Sequence, residues 1–498
     1  MNKISLFIIT FFIGCLTIAC DDDNFDMSPS QALTFSNDTI RFDTLFSTVP
    51  SSTRSFWAFN KTGSGIRCTS VRQERGNQSG FRVNVDGAFL GQASGYAVSD
   101  IELRKKDSIR IFVEATFPNN YKGKPSEIED NLVFTLENGK QQKVNLNAFA
   151  WDCNIVRNLR IAKDTTLAAD TKPLVVYGPI EVAKGATLTL APGLTLYFHG
   201  NAGIDVHGRL VSNGTADAKV VLRGDRLDRM FDYLPYDRVS GQWNGLHFYE
   251  ESYDNMLRNT DIHSTYDGIV VDSSALDRTT LTLENSIVHN CQGYGLKTTN
   301  AVVNITNCQL TNTLHDCLFV DGGNVSINAT TMAQFYPFDS QRGAAIRFSS
   351  VNNPLQSLVC KNSIVTGYAD DLLFSESEKD SDHANEFQFY SCLLRTPKVE
   401  TEDSIRFKDV VYEDVSDTTS YGLKNFVLID GDHQQYDFHL KEKAAAIGIA
   451  DKTSMPSTDL TGQQRDDTPD AGAYEFVATE NKEEEKRLSV LRFRTSHD

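Results

Sequence analysis

A short pattern of apolar and polar residues recurs along the middle of the chain. Each copy starts and ends on an apolar residue, as in L-R-N-T-D-I, and most copies carry Asn at the third position. The copies begin at Leu257, Leu283, Ile305, Ile327, Cys360 and Phe389, in steps of 26, 22, 22, 33 and 29 residues. A period of about 22 residues, lengthened by insertions, is typical of one coil of a solenoid and is too short for an independent domain.

Stacked coils place equivalent residues in columns about 4.8 Å apart, the spacing of paired strands. The last apolar residues form one such column: Ile262, Val288, Leu310, Met332, Val365 and Leu394. Another column holds Asn259, Asn285, Asn307, Ala329, Asn362 and Ser391. Asn tolerates left-handed backbone angles, and its amide can bond to the next Asn in the stack, so this column predicts the bends. A second apolar run follows each bend, which predicts a parallel β-helix with two strands per coil.

The remaining pattern divides the chain into further parts. Apolar and polar residues alternate in short runs over residues 33–152, which predicts a β-sandwich with a hairpin turn at 137–140. The β-helix with its C-terminal cap is assigned to 153–476, with the recognisable coils starting near Leu174, and a charged tail to 477–498. The predicted fold class is therefore all-β.

The first residues resemble a targeting signal. Lys3, the apolar run Leu6–Ile13 and L-T-I-A-C before residue 21 match a bacterial lipoprotein signal, which predicts a signal peptide at 1–19 and diacylation of Cys20. The acids Asp21–Asp23 lie in a linker at 20–32 and resemble the export tag of Bacteroidetes surface lipoproteins. We expect a lipid anchor in the outer membrane that faces the cell exterior.

Charge and cysteines narrow the function further. The formal net charge of -18 argues against nucleic acid as a partner. Seven cysteines remain besides Cys15 and Cys20, and several occupy ladder columns, which predicts free buried thiols. A disulfide between Cys291 and Cys317 is the open alternative.

Two segments, Gly241–Phe248 (G-Q-W-N-G-L-H-F) and Asp470–Phe476 (D-A-G-A-Y-E-F), carry a family resemblance. With the lipoprotein signal, they make the chain similar to the right-handed parallel β-helix lipoproteins of Bacteroidetes. The front domain resembles the Ig-like domains of abnormal-spindle/Hydin type, through the turn Asn60–Gly63. The wider class includes polysaccharide lyases, glycoside hydrolases and members without known activity, so the resemblance implies the fold more than a reaction.

Candidate catalytic residues are sparse. Asn259-Thr260-Asp261 matches the first motif of polygalacturonase-like hydrolases, but the next coil has no carboxylate, and Asp370-Asp371 lies four coils away. Asp261 is therefore interpreted as an exposed acid, and His263 and His289, which share a column, as exposed ladder residues rather than ligands. No metal site or cofactor is predicted, although the acidic run at 376–386 leaves calcium open.

The insertion Arg223–Trp243 is the strongest candidate for binding. It interleaves aromatic side chains with arginines and aspartates, a combination that suits the stacking and hydrogen bonding of sugars. The predicted ligand contacts are Arg226, Arg229, Tyr233, Tyr236 and Trp243. The alternative is a loop that packs its aromatic residues onto the solenoid.

These features favour a surface lipoprotein whose β-helix binds extracellular polysaccharide or another surface partner, rather than an enzyme. Two alternatives stay open. One is a lyase or glycoside hydrolase that acts on acidic glycans, and the other is a structural adhesin or surface-assembly component.

Overall fold

The computed structural model describes residues 24–379, 382–400, 405–417 and 422–478. The predicted signal peptide, Cys20 and most of the charged tail lie outside these residues. The chain divides after Asp152 into two compact units. Within the described ranges, the helices are the short 3-10 turns Gly76–Gln78, Gln92–Ser94, Tyr236–Arg238 and Leu423–Asn425. No helix in this part of the chain is both long and apolar enough to cross a bilayer.

The N-terminal unit is a sandwich of two sheets, as predicted. One sheet contains Thr34–Phe35, Arg54–Phe59, Ser108–Ala115, Phe81–Val85 and Ala88–Phe89. The other contains Thr39–Phe46, Gln141–Trp151, Ser126–Leu136, Ile66–Gln73, Ala97–Val98 and Ile101–Leu103. The hairpin at 137–140 is confirmed, since the N–H of Gly139, at φ 82°, donates to the carbonyl of Leu136 at 2.9 Å.

The second unit winds one parallel sheet into coils of three strands, so its strands form three ladders. The first ladder contains the starts of Asn154–Ile161 and Leu174–Val182, then Thr195–His199, Val220–Gly224, Thr260–His263, Ile287–Cys291, Gln309–Thr313, Thr331–Gln334, Ile364–Gly367, Leu393–Leu394 and Val411–Tyr412. The second contains the ends of the same two long strands, then Ile204–Val206, Leu246–Phe248, Ile269–Val271, the starts of Leu296–Thr306 and Leu318–Asn328, Ile346–Ser349 and Leu373–Glu376.

The third ladder contains Thr165–Leu167, Thr187–Leu190, Arg209–Asn213, Asn255–Arg258, Leu281–Glu284, the ends of Leu296–Thr306 and Leu318–Asn328, Leu355–Lys361, Asn385–Tyr390 and Phe407–Lys408. The prediction of two strands per coil was wrong. The repeated phrase is not one strand but the corner at which the third ladder ends and the first begins.

The predicted columns are confirmed residue by residue. Leu257 pairs with Leu283, then Ile305, Ile327, Cys360 and Phe389 in turn. The bends are left-handed at every position of the Asn column, with φ of 45°, 50°, 53°, 52°, 49° and 51° from Asn259 to Ser391. The coils begin at Asn154, earlier than Leu174, because the first strand pairs in parallel with the next coil.

The side chains of the Asn column do not form the expected amide ladder. The amide of Asn307 donates to the carbonyl of Thr458 at 2.7 Å, and that of Asn362 donates to the Oδ1 of Asn328 at 2.9 Å and to the Oγ of Ser454 at 3.0 Å. The left-handed bend turns these amides outward. They fix the C-terminal segment to this corner instead of bonding to one another.

The C-terminal segment leaves the coils after Val411–Tyr412 and returns along the outer side of the first ladder. It begins with the antiparallel hairpin of Phe426–Asp430 and Gln435–Leu440. Its apolar side chains form a second core with outward residues of the first ladder: Ala333, Ile364, Leu393, Phe426, Phe438, Leu440, Ala446, Leu460 and Tyr474. The segment therefore covers the end of that ladder and leaves its middle open.

The buried cysteines of the described residues are free thiols, as predicted. Cys68, Cys291, Cys308, Cys317, Cys360 and Cys392 are buried, and Cys153 is partly buried. The alternative disulfide between Cys291 and Cys317 is not formed.

Candidate ligand-binding cleft

A cavity of about 540 Å³ opens on the outer side of the first ladder, and we name it the cleft. Its floor is formed by strands Thr260–His263, Ile287–Cys291 and Gln309–Thr313. The insertion supplies one wall through Asp237 and Arg238. The returning C-terminal segment supplies the other through Leu428, Gln434, Gln435, Tyr436, Asp437, Phe438, His439 and Tyr474.

Two histidines and two aspartates meet on this floor. Side chains alternate along a strand, so the inward position of Ile262 turns Asp261 and His263 outward. The Nδ1 of His263 is 2.8 Å from the Oδ1 of Asp261, and its Nε2 is 3.0 Å from the Oδ1 of Asp237. The Nε2 of His289 is 3.2 Å from the same Oδ1 of Asp261. We name these four residues the histidine–aspartate cluster.

Asp237 reaches the cluster because the insertion folds back over the first ladder. Strands Arg229–Phe231 and Leu234–Pro235 pair as a short hairpin, and the 3-10 turn Tyr236–Arg238 follows. The Nη1 of Arg223 lies 2.7 Å from the Oδ1 of Asp237, and the hydroxyl of Ser264 donates to the carbonyl of Asp237 at 2.9 Å. The side chain of Asp237 is therefore held from two sides, by an arginine and by His263.

Three members of the cluster, Asp237, Asp261 and His263, are charged at neutral pH. Burial opposes ionisation of Asp237, but the hydrogen bond and charge of His263 and the charges of Arg223 and His289 outweigh it and lower the pKa of Asp237 to about 2. Burial also disfavours charge on His263, but the carboxylates of Asp261 and Asp237 raise its pKa to about 9. The pKa of Asp261 lies well below its ordinary value, because the two histidines prevail over burial.

Two side-chain amides that line the cleft, one on its floor and one on its wall, have polar atoms without a hydrogen-bond partner among the described residues. Both polar atoms of the Asn312 side chain are buried without a partner among the described residues, and so is the Nε2 of Gln434. Asn312 is only 1% exposed. A buried polar group left unpaired costs about 1–3 kcal/mol, so these amides are suited to hydrogen-bond a ligand that enters the cleft.

The structure separates the five predicted contacts of the insertion. The prediction that Trp243 contacts a ligand was wrong. Its side chain is buried, stacks on Phe198 at 4.1 Å and donates to the carbonyl of His263 at 2.8 Å, so the indole cannot reach a ligand. Arg226 lies 3.9 Å from the ring centroid of Tyr236 and bonds to Asp228, so these contacts hold the insertion itself together.

Arg229 and Tyr233 lie on the outer edge of the insertion. Arg229 is exposed, and its Nη1 donates to the carbonyl of Asp232 at 3.0 Å. The ring of Tyr233 is 51% exposed, stacks with Phe231 at 5.7 Å and meets the ring of His433 edge-on at 5.5 Å. His433 is the neighbour of Gln434 in the cleft wall, so the two rings lie at the edge of the cleft. We name Phe231 and Tyr233 the aromatic rim.

The interpretation of Asp261, His263 and His289 as exposed residues was wrong, whereas the shared column of the two histidines is confirmed. His263 is 7% exposed and Asp261 24%, and the insertion covers them. Asp370 lies instead beside Arg395, and Asp371 accepts a hydrogen bond from Thr396 at 2.7 Å. Among the described residues, Asp261, His263 and His289 form a group of three potential metal ligands. The described part of the acidic run at 376–386 forms no such group.

The fold places the chain among parallel β-helix proteins, with a cleft on one outer face of the coils. A family model described as a right-handed β-helix region matches residues 180–332. No curated protein matches the chain.

Three solved structures are similar to parts of the chain. The catalytic unit of a GH87 α-1,3-glucanase from Streptomyces thermodiastaticus is 10% identical, with a TM-score of 0.30 over 72% of this chain and 89% of that one. The pectate lyase Pel9A is 13% identical, with a TM-score of 0.24 over 59% and 89%. The ASH/PapD-like domain of human CEP192 is 10% identical, with a TM-score of 0.18 over 26% and 90%.

Several cleft residues escaped the sequence analysis. Asn312 could have been found from the repeat, because Ser264, Asn290 and Asn312 occupy equivalent positions on successive coils. All three have positive φ, at 63°, 53° and 58°, which marks a second column of bends. Tyr474 lies within the segment D-A-G-A-Y-E-F, which was singled out without a role. Gln434, Tyr436 and His439 carried no such signal, because no period relates the returning segment to the coils.

Proposed function

We propose that the chain is a lipid-anchored protein of the outer cell surface whose β-helix binds extracellular glycan in the cleft. The observation that carries the proposal is that both polar atoms of the Asn312 amide and the Nε2 of Gln434 have no hydrogen-bond partner among the described residues. They line a cavity that also presents tyrosine, histidine and aspartate side chains. Sugars offer hydroxyl groups that both donate and accept hydrogen bonds, and amides answer both roles. A glycan would thus supply hydrogen-bond partners for these amide groups.

The aromatic rim extends this surface beyond the cleft. Tyr233 and Phe231 are about half exposed and stack nearly parallel, at an interplanar angle of 14°. The Nη1 of Arg238, a cleft residue of the insertion, donates to the carbonyl of His433 at 3.1 Å, which connects the insertion to the opposite wall. Flat exposed rings stack on the apolar faces of sugars, so a glycan of several units can lie across the rim with one end in the cleft.

The protonation of the cluster favours binding over hydrolysis. Glycosidases need two carboxyl groups, one of them protonated to donate to the leaving oxygen. The pKa values of Asp237 and Asp261 are both lowered, the first to about 2, so neither is protonated at neutral pH. Both carboxylates are also engaged with His263. The pair therefore lacks the protonated carboxyl group that most glycosidases use.

The test is binding of the full chain to an array of bacterial and host polysaccharides, followed by calorimetry with the best oligosaccharide. We expect Asn312→Ala and Tyr233→Ala each to weaken binding about tenfold or more, since each removes one buried hydrogen-bonding group or one stacking surface. Tyr121→Ala is the matched control, because Tyr121 is 84% exposed in the N-terminal unit and should leave affinity unchanged.

Other outcomes decide between the alternatives. No binding on the array, or binding that neither cleft variant weakens, would remove the glycan proposal. Shortened or unsaturated sugar products that disappear in Asp261→Asn would assign the cleft to a hydrolase or lyase. Surface crosslinking to a protein, with no glycan bound, would favour the structural adhesin.

The anchoring is tested separately. We expect labelled fatty acid to be incorporated into the wild-type chain and not into Cys20→Ala, and the wild-type chain to be accessible to protease on intact cells. Incorporation that persists in the variant would contradict the anchor. Protection from protease on intact cells would place the protein on the inner side of the membrane.

A further inference from the structure

We propose that Asp261, His263 and His289 bind one divalent transition-metal ion of the Zn²⁺ class at the floor of the cleft. The inference goes beyond glycan binding, since the ion needs no glycan to bind. It rests on the positions of the three side chains and on the support of His263 by a second carboxylate. Two imidazoles and one carboxylate are a known ligand set for such ions.

The three ligand atoms have the spacing of neighbours around one ion. Bonds of about 2.0–2.2 Å to a transition-metal ion place adjacent ligand atoms roughly 3 Å apart. The Oδ1 of Asp261 is 2.8 Å from the Nδ1 of His263 and 3.2 Å from the Nε2 of His289. All three ligand atoms lie within 4.8 Å of one another. This spacing is compatible with coordination of one shared ion.

The β-helix supplies this geometry through its register. His263 pairs directly with His289 on the next coil, and Asp261 is the other outward residue of the same strand as His263. The rings of the two histidines are 4.9 Å apart, which is the rise between coils. The strands of a solenoid are rigid supports, so the ligands are placed before an ion arrives.

The second nitrogen of His263 has the partner that a metal-bound histidine requires. Its Nε2 donates to the Oδ1 of Asp237 at 3.0 Å, and Asp237 is in turn held by Arg223 at 2.7 Å. A carboxylate behind the ligating imidazole fixes its tautomer and orientation and raises its basicity. The ion would take the place of the proton that the Nδ1 shares with Asp261, while the proton on the Nε2 stays with Asp237.

The protein leaves coordination positions open toward the cleft. The three residues line the cavity together with Asn312 and Gln434, whose amides lack partners among the described residues. Sites with three protein ligands keep a position for water or substrate, whereas structural zinc sites fill all four. The imidazole ligands favour Zn²⁺ over Ca²⁺ or Mg²⁺, which bind oxygen almost exclusively.

The experiment measures zinc binding by the untagged full chain after chelation, by calorimetry and by elemental analysis. We expect about one equivalent of Zn²⁺, and loss of affinity of at least about 100-fold in His289→Ala, which removes a ligand. Asp237→Asn should lose about 10- to 100-fold, because the support of His263 weakens. His439→Ala is the matched control, since this cleft histidine bonds to Asp437 at 2.6 Å and lies outside the cluster.

A Co²⁺-substituted protein gives a readout that a purely structural role would not move. We expect a visible absorption band that His289→Ala loses and His439→Ala keeps, with thermal unfolding checked for each variant. Absence of stoichiometric zinc, or equal zinc binding by His289→Ala and His439→Ala, would overturn the site. Either result would leave the glycan proposal standing, because array binding in chelator tests it independently.

Discussion

The Nη1 of Arg223, on the first ladder, lies 2.7 Å from the Oδ1 of Asp237, on the insertion. The same guanidinium lies 5.6 Å from the ring centroid of Tyr197 on the preceding coil. One side chain therefore joins two neighbouring coils to the segment that forms one wall of the cleft. The insertion is fixed in place by this contact and by the bond between Asp237 and His263.

Replacing Arg223 should loosen the insertion. In Arg223→Gln we expect faster cleavage by chymotrypsin at Phe231 and Tyr233, because Asp237 loses its charged partner while the cleavage sites stay unchanged. The readout is the rate of limited proteolysis. Arg278→Gln is the control: its ion pair with Asp254 is about half exposed on both sides, and such pairs contribute little. Equal cleavage rates in the two variants would contradict the anchoring role of Arg223.

Ala329 is the residue in the Asn column least suited to its backbone. It has φ 52° and is fully buried, and an L-residue with a β-carbon is disfavoured there by about 1 kcal/mol or more. Ala329→Gly should therefore raise the free energy of unfolding of the solenoid by up to about 1 kcal/mol in urea denaturation. Ala301→Gly, buried in an ordinary strand, should lower it by about 0.5–1 kcal/mol. The same sign for both variants would refute this explanation.

A buried ion pair closes the last coils. The side chains of Arg395 and Glu413 are 1% and 0% exposed, and the Nη1 of Arg395 lies 3.3 Å from the Oε2 of Glu413. Thr366 also donates to this Oε2, and Asn425 donates to the Oε1. Arg395→Met leaves this carboxylate buried without its cation and should cost about 3–5 kcal/mol in urea denaturation. Adding Glu413→Gln should recover part of the loss. If the double variant loses the sum of the two single effects, the residues are not coupled.

The stability of the C-terminal segment should depend on pH through Asp470. Burial and the neighbouring Glu475 raise the pKa of Asp470 to about 6, although the N–H groups of Phe476 and Gly448 donate to it. The folded chain therefore holds this proton more tightly than the unfolded chain. Its stabilising effect is complete below pH 4 and is lost as the pH rises to about 6.

The comparison with Asp470→Asn isolates this effect. We expect the thermal stability of wild type relative to the variant to fall between pH 4 and 7 by an amount equivalent to at most about 3 kcal/mol, and to be flat above that range. Circular dichroism melts across the range provide the measurement. Parallel profiles of the two proteins would show that Asp470 has an ordinary pKa.

The sequence predicted the coils because their contacts repeat. Leu257 meets Leu283 one period later, and each left-handed bend is marked by Asn or another small residue, so periodicity alone determined the register. It did not reveal the third strand of each coil, because the repeated phrase runs through the corner between two strands.

The cleft was harder to predict because three unrelated segments build it. Asp261 looked isolated in the sequence. The other carboxylate that bonds to His263 belongs to Asp237, which comes from an insertion outside the repeat. Tyr436 comes from a segment that returns along the ladder after the coils have ended. Such contacts depend on tertiary packing, which local patterns do not encode.

The number of coils after the cleft determines where the returning C-terminal segment places the cleft wall. The hydroxyl of Tyr474 donates to the Oε1 of Gln309 at 2.6 Å, although 165 residues separate them. Each coil between Gln309 and Tyr412 lengthens the outward path by about 4.8 Å, and the return path must match it. Gain or loss of one coil there would shift the C-terminal wall relative to His263 and His289. In related chains the number of coils before Val220 should therefore vary more than the number after Gln309.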